Sequence, residues 1–190
     1  MGRYEIRLGG LGGQGIILAG VVIGRAATVY AGMNAVMGQS YGPEARGGAS
    51  RSEVIISDEE VDYPRTLQPD LLAVMSQAAY DKYIGDLKPG GILVIDPDLV
   101  KIDERASKAS AIYKVPATRI AESLGRRIVA NMVLVGALTA ITKLVPKKAV
   151  ESSVKASVPP GTEGLNLRAF NTGYEYGLRL IKEVEAEVDS

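Results

Sequence analysis

Six glycines fall within twelve positions, residues 9–20, in the stretch GGLGGQGIILAG. Residues 10–15 fit the spacing G-x-G-x-x-G, after one apolar run and before a second that is typical of a helix. Glycines at this spacing let a strand-to-helix turn close tightly, so that main-chain N–H groups approach a pyrophosphate. The positive end of the following helix dipole adds to the attraction. The stretch therefore predicts a phosphate-binding turn, with close packing of a strand against a helix as the alternative use of the glycines.

The sequence lacks the residues that usually accompany such a turn in a nucleotide-binding site. A dinucleotide site places an acidic residue about 20 residues later, at the end of the second strand, whereas this region reads NAVMGQS. No lysine follows the glycines, which excludes the Walker pattern. The turn is therefore predicted to hold a phosphate-bearing ligand other than NAD. A free-standing dehydrogenase or methyltransferase stays open as an alternative, since LKPGGILVID resembles a later strand of methyltransferases.

A second glycine-rich stretch, QSYGPEARGGASRSEV, carries charged side chains over residues 39–54. Glu44 and Arg46 lie between glycines, and Arg51 stands at the entry of the next strand. Charges on a glycine-rich loop often face a ligand or a partner, and an arginine can clamp a phosphate or a carboxylate. Arg46 is therefore a candidate ligand contact, although it could equally pair with Glu44 in a solvated hairpin loop.

The residue types that are absent restrict the chemistry of the chain. Its 190 residues include no cysteine and no histidine, so it has neither thiolates for an iron–sulfur cluster nor an imidazole base. Basic and acidic residues number 22 each, which gives no electrostatic basis for binding nucleic acid or a membrane surface. The apolar stretches are too short or too interrupted for the ~20 residues that a membrane span needs. Since no N-terminal leader pattern is present, we expect a cytoplasmic protein.

Strand and helix patterns alternate along the chain. Short apolar runs predict strands at residues 4–8, 34–37, 53–56, 71–75, 92–96 and 111–115, and longer patterns predict helices at residues 16–31, 78–84, 117–124, 131–141, 147–155 and 166–184. The connection between the second and third strands is too short for a helical crossover, so we expect those two to be antiparallel. The pattern predicts a single three-layer α/β/α domain over residues 1–190, with a mixed, mostly parallel sheet.

Several motifs together resemble one protein family. GGLGGQGIILAG, then QSYGPEARGGASRSEVIIS, then the Tyr63-Pro64 and Asp70-Leu71-Leu72 signals are similar to the gamma subunit of 2-oxoacid:ferredoxin oxidoreductases. The similarity continues through LKPGGILVID and NMVLVGAL to the C-terminal helix, so it spans essentially the whole chain. The loop QSYGPEARGGAS resembles the 2-oxoglutarate branch of the family more closely than the pyruvate branch.

The resemblance implies a fold, a reaction and a set of partners. The fold would be Rossmann-like, as in the gamma domain of pyruvate:ferredoxin oxidoreductase. Relatives decarboxylate a 2-oxoacid with thiamine diphosphate, pass electrons through iron–sulfur clusters to ferredoxin, and form an acyl-CoA. The chain would be one subunit, inactive alone, that assembles with alpha, beta and delta-type subunits. Thiamine diphosphate and the iron–sulfur clusters would lie in those partner subunits.

The gamma domain of this family is thought to take part in binding coenzyme A, and the resemblance carries that role onto the glycine motif. The implied contacts are Gly12, Gly13, Gln14 and Gly15, with Arg46 and Asn131 as further candidates. Asn131 could equally be a hydrogen-bonded helix start. No residue of this chain is expected to be catalytic or to bind a metal. A purely structural module, whose glycines pack at a subunit interface, is the remaining alternative.

Overall fold

The core of the fold is a six-stranded sheet. The computed structural model of the chain describes residues 2–40 and 48–188. The strands are Tyr4–Leu11 (β1), Asn34–Ser40 (β2), Ala49–Ser57 (β3), Leu71–Val74 (β4), Ile92–Ile95 (β5) and Ala111–Lys114 (β6). Each lies on a run that the sequence predicts as a strand. Short apolar segments bounded by turn-forming residues therefore locate this sheet correctly.

The sheet is mixed, with the strand order β2-β3-β1-β4-β5-β6. β1, β4, β5 and β6 run parallel to one another. β3 is antiparallel to both β1 and β2. The predicted antiparallel pair and the mostly parallel sheet are thus confirmed. Because β3 inserts between β1 and β2, the strand that follows the first helix lies at the edge of the sheet and not beside β1.

The described residues form six α-helices, each on a segment that the sequence predicts to be helical. They are Ile16–Arg25 (α1), Gln77–Tyr83 (α2), Ala117–Ser123 (α3), Ala130–Thr142 (α4), Lys147–Ser157 (α5) and Glu163–Val188 (α6). The pattern that predicts a helix to residue 31 is continued after α1 by a π-helical turn, Ala26–Tyr30. Within residues 2–40 and 48–188, no helix is both long enough and apolar enough to cross a bilayer.

The helices cover the two faces of the sheet unequally. α1, α3, α4, α5 and α6 contribute their buried side chains to one large core on one face. On the other face, α2 packs through Ala79, Tyr80 and Tyr83, joined by irregular segments around Leu87 and Val100. The fold is therefore a three-layer α/β/α arrangement in which one outer layer contains a single short helix.

The first three strands extend beyond their predicted bounds: β2 reaches Ser40 and β3 begins at Ala49. β1 does not end at Leu8 but continues through Gly9 and Gly10 to Leu11. The reason is pairing: β3 follows β1 along its whole length, and the last pair is Leu11 with Ala49. Strand length here depends on a partner that is distant in sequence, which a local pattern does not report. The glycine-rich turn proper is consequently shorter than the motif, and covers residues 12–15.

α4 is buried on nearly all sides because α6 lies directly against it. The two backbones approach so closely that a β-carbon on Gly173 would collide with the carbonyl of Val133, and one on Gly136 would collide with that of Phe170. Phe170 itself is fully buried in the same core. The apolar character of α4 therefore serves packing within the chain. This packing fixes the N-terminal end of α4, which lies beside the glycine turn.

Candidate functional site

The glycine turn lies where a ligand crevice is expected in a sheet of this kind. β1 and β4 are parallel neighbours, and the helices that follow them, α1 and α2, pack on opposite faces of the sheet. Ligands of open α/β sheets bind outside the carboxyl ends of the strands at such a switch in direction. The turn at residues 12–15 follows the carboxyl end of β1 and is hydrogen-bonded to Met75, just after β4.

The conformation of the turn requires glycine at two positions. Gly13 has φ 86° and Gly15 has φ 72°, both in the left-handed region. A β-carbon at Gly13 would meet no atom within 4 Å, so the backbone angle alone demands glycine there. A β-carbon at Gly15 would collide with the side-chain amide of Asn131. The two glycines thus have different roles: Gly13 allows the backbone conformation of the open turn, and Gly15 allows the turn to pack against α4.

Gln14 braces the turn from within. Its Oε1 accepts a hydrogen bond from the Leu11 N–H at 2.7 Å, and its Nε2 donates to the Met75 carbonyl at 2.8 Å. The main-chain N–H of Gln14 donates to the Leu11 carbonyl at 3.2 Å. Both polar ends of this predicted ligand contact are therefore engaged inside the protein. Gln14 joins the ends of β1 and β4 and holds the shape of the turn.

We expect Gln14→Ala to lower the free energy of unfolding by about 1 kcal/mol, because it removes an exposed hydrogen bond from the Leu11 N–H and a part-buried one to the Met75 carbonyl. Chemical denaturation of the purified chain measures this loss. Gln68→Ala is the matched control, since Gln68 is an exposed glutamine just before the amino end of β4, at the other end of that strand from Met75. Equal midpoints for the two variants would contradict the bracing role.

Several N–H groups of the turn remain open to a ligand. Among the residues that the structure describes, the main-chain N–H groups of Gly12, Gly13 and Gly15 donate to no acceptor. Gly12 and Gly13 are also exposed. Ile16 begins α1 immediately afterwards, so the unpaired N–H groups of its first turn face the same region. This combination of exposed N–H groups and a helix N-terminus suits an anion.

Asn131 fastens the turn to α4. It is only 3% exposed, its Nδ2 donates to the Gly15 carbonyl at 3.2 Å, and its Oδ1 accepts from the N–H of Met132 at 2.9 Å. Asn131 is thus a hydrogen-bonded residue in the first turn of α4, and it also lines the cavity beside the turn. Its contact with a ligand stays a prediction.

A cavity of about 530 Å³ opens beside the turn. It is bounded by the turn and α1 on one side, by the start of α4 on another, and by the segment that leads into α6. Most of its lining is apolar. The lining residues are Leu11, Gly12, Gly13, Gly15, Ile16, Ile17, Leu18, Ser50, Arg126, Ile128, Val129, Asn131, Pro159, Thr162, Leu165 and Asn166.

A smaller cavity of about 270 Å³ shares Gly13 and Ile128 with the first. Its other lining residues are Gln14, Met75, Thr118, Arg127 and Ala130. The turn and the exposed Ile128 therefore stand between two cavities. A ligand with a central phosphate group and an arm on either side matches this arrangement.

The charge of the site has one sign. Among the described residues that line the two cavities there is no carboxylate, and the ionisable side chains are Arg126 and Arg127. In a chain with zero formal net charge, this local excess of positive charge favours an anionic ligand. The sequence analysis missed both arginines. The sequence marks Gly125-Arg126-Arg127 only as a basic connection between two helices just before Asn131, and it does not place that connection beside the glycine turn.

The strand order explains why the acid of a dinucleotide site is missing. In dinucleotide-binding folds that acid holds the ribose from the end of the strand beside β1. Here β3 occupies that position, and β2 lies one strand further out, about 10 Å from β1. The topology therefore disfavours NAD as the ligand, in agreement with the sequence. The other predicted contact, Arg46, lies outside the described residues, as does Glu44.

Three comparisons with known proteins identify the same family, the oxidoreductases that act on 2-oxoacids with ferredoxin. Residues 5–176 match the profile of the pyruvate ferredoxin/flavodoxin oxidoreductase family. The chain is 55% identical over 179 residues to the 2-oxoglutarate synthase subunit KorC of Methanocaldococcus jannaschii. The alignment covers 94% of this chain and 96% of the relative.

Solved structures show the same relationship. The gamma subunit of a keto/oxoacid ferredoxin oxidoreductase from Geobacter sulfurreducens is 46% identical and superimposes with a TM-score of 0.82, over 95% of this chain and 99% of the other. The 2-oxoglutarate:ferredoxin oxidoreductase of Magnetococcus marinus, solved with 2-oxoglutarate, coenzyme A and succinyl-CoA bound, gives a TM-score of 0.85 at 25% identity. That match covers 95% of this chain but 32% of the longer one.

Proposed function

The chain belongs to the pyruvate ferredoxin/flavodoxin oxidoreductase family and is the gamma subunit of a 2-oxoacid:ferredoxin oxidoreductase. From this premise we propose that its glycine turn binds the pyrophosphate of coenzyme A. The observation that carries the proposal is the position of the turn between two cavities, with its N–H groups open. Coenzyme A has a pyrophosphate between two dissimilar arms, an adenosine 3′-phosphate and a pantetheine thiol. The larger cavity also falls within the ~300–1,000 Å³ typical of ligand sites.

Each group in the site has a role in holding such a ligand. The N–H groups of Gly12, Gly13 and Gly15 would donate to pyrophosphate oxygens, at the N-terminus of α1. Apolar side chains such as Ile17 and Leu165 would pack against the uncharged part of an arm. Asn131, which is bound to the Gly15 carbonyl, keeps the turn in place.

The described lining of the two cavities supports a role in binding rather than in proton transfer. Apart from the two arginines, none of the described lining residues of either cavity is ionisable. A general acid or base must be able to exchange a proton near neutral pH, which arginine does not do. We therefore assign proton transfer and carbon chemistry to partner subunits. The proposed role of this subunit is to bind and orient coenzyme A and to complete the assembly.

The identity of the substrate and partners follows from the relatives and belongs to the same proposal. We propose 2-oxoglutarate as the 2-oxoacid, because the relative at 55% identity is a 2-oxoglutarate synthase subunit. Alpha, beta and delta-type subunits would hold thiamine diphosphate and the iron–sulfur clusters, and ferredoxin would accept the electrons. A cytoplasmic location remains a prediction of the sequence.

Calorimetric titration distinguishes the proposed function from a free-standing nucleotide enzyme. The assembled complex should bind coenzyme A in a saturable manner and should bind neither NAD(P) nor S-adenosylmethionine. Thermal-shift assays on the separate chain with the same three ligands complete the comparison. Binding of NAD(P) or S-adenosylmethionine by the separate chain would support the enzyme alternative and contradict the proposal.

A further inference from the structure

Arg126 and Arg127 stand at the junction between α3 and α4. The segment reads GRRIV, and residues Arg127–Val129 form a short 3-10 turn that leads into α4. The two arginines lie on different cavities: Arg126 lines the larger one and Arg127 lines the smaller one. Ile128, which is 68% exposed, lines both.

The backbone of this junction is fixed although its side chains are exposed. The N–H of Arg126 donates to the Ala121 carbonyl at 3.2 Å, and the Arg126 carbonyl accepts from the N–H of Val129 at 3.2 Å. Val129 is buried in the large core. The chain is therefore held at both sides of Arg126, and its side chain extends from a rigid position at the rim of the cavity.

The two arginines differ in their partners. Arg127 lies 3.6 Å from the carboxylate of Glu122, in an exposed pair that contributes little stability. Arg126 forms no ion pair with any residue in the described part of the chain. For comparison, the exposed Arg119 makes two hydrogen bonds to the carboxylate of Asp98. Arg126 is thus a cation at a cavity rim whose charge the described structure leaves uncompensated.

We infer that Arg126 recognises the 3′-phosphate of coenzyme A, and this inference rests on the proposed binding of coenzyme A by the glycine turn. A terminal phosphate monoester carries close to two negative charges near neutral pH, and the planar guanidinium binds its oxygens in bidentate geometry. The 3′-phosphate is one ribose away from the pyrophosphate. It would therefore occupy the cavity that the turn lines, and Arg126 is the one cationic side chain among the described lining residues of that cavity.

We assign Arg127 to the pyrophosphate and not to the 3′-phosphate, because Arg127 lines the smaller cavity. It shares the smaller cavity with Gly13 and Gln14, so its charge acts on the pyrophosphate that the turn holds. Ile128, between the two arginines, offers an exposed apolar surface on which an arm of the ligand can pack. Recognition of the 3′-phosphate by Arg126 would let the subunit prefer coenzyme A over 3′-dephospho-coenzyme A.

Calorimetric titration of the assembled complex with both ligands tests the inference. We expect Arg126→Gln to weaken coenzyme A about tenfold, which corresponds to the loss of one charge-assisted contact, and to leave the affinity for 3′-dephospho-coenzyme A unchanged. Arg126→Lys should retain part of the preference. Arg127→Gln should weaken both ligands by the same factor. Arg65→Gln, which removes an exposed arginine beside Arg3 at the amino end of β1, should change neither.

The outcomes separate this inference from the proposed function. If Arg126→Gln weakens both ligands equally, or neither, Arg126 does not recognise the 3′-phosphate. A loss that is selective for coenzyme A in Arg127→Gln would also overturn the assignment. If Gly13→Asp leaves the affinities for both ligands unchanged, the turn does not bind the pyrophosphate and the proposed function itself fails. Thermal unfolding of each variant confirms that the complex is folded.

Discussion

Gly13→Asp should reduce the affinity of the assembled complex for coenzyme A by about a hundredfold, or about 2.7 kcal/mol. The substitution places a carboxylate where the N–H groups of the turn would meet the pyrophosphate, and like charges about 4 Å apart near a protein surface repel by about 4 kcal/mol. It also forces a side chain onto a backbone with φ 86°. The affinity is measured by calorimetric titration.

Two control variants separate the charge from the backbone cost. Gly90 has φ 80° and, like Gly13, has no atom within 4 Å of a β-carbon position, but it precedes β5, at the amino ends of the parallel strands and so away from the turn. Gly90→Asp should lose similar stability and keep full affinity for coenzyme A. Gly13→Ala adds the backbone cost without a charge and should lose less affinity than Gly13→Asp. Unchanged affinity in Gly13→Asp would favour the purely structural module.

The largest stability effect should come from the contact between α4 and α6. Gly173→Ala places a methyl group against the Val133 carbonyl, in a region where the neighbouring atoms belong to the helix backbone and cannot move aside. Overpacking of a core usually costs about 1–3 kcal/mol, and here the helices themselves must separate. We expect a loss of about 3 kcal/mol or more, measured by denaturant unfolding of the chain.

A second glycine of α6 provides the control for this prediction. A β-carbon at Gly164 would meet only the end of the flexible Arg168 side chain, at 3.8 Å. Alanine is favoured over glycine in a helix by about 1 kcal/mol, so Gly164→Ala should be neutral or stabilising. A Gly173→Ala protein as stable as Gly164→Ala would contradict the backbone contact between α4 and α6 at Gly173.

The helix contact also bears on the site. Asn131 lies in the first turn of α4 and donates to the Gly15 carbonyl, 116 residues away in sequence. If α4 moves, the brace on the turn moves with it. We therefore expect Gly173→Ala proteins that still fold to bind coenzyme A more weakly, although no residue of α6 near position 173 lines either cavity.

The sequence predicts the local features of this fold well. The glycine turn can be located because its φ angles and its spacing are local properties of residues 12–15. The antiparallel pairing of β2 with β3 follows from one short connection, whereas the insertion of β3 between β1 and β2 does not. The end of β1 could not be placed, since Leu11 belongs to the strand only through its pairing with Ala49.

The candidate site was only partly predictable, because it too depends on contacts between residues that are distant in sequence. Gln14 was predicted to contact the ligand, but a glutamine in a glycine motif does not reveal whether its amide faces a ligand or, as here, Leu11 and Met75. Arg126 and Ile128 enter the site because α3 and α4 pack beside the turn. No spacing in the sequence records that juxtaposition.

Millisecond hydrogen–deuterium exchange of the assembled complex, with and without coenzyme A, tests the central claim most directly. The N–H groups of Gly12, Gly13 and Gly15 have no acceptor in the described structure, so they should exchange rapidly in the free complex. Coenzyme A should slow exchange in the peptide that contains residues 10–18 about tenfold, while the paired strand β3 serves as an internal reference. Saturating coenzyme A that leaves this peptide as fast as before would contradict a pyrophosphate-binding turn.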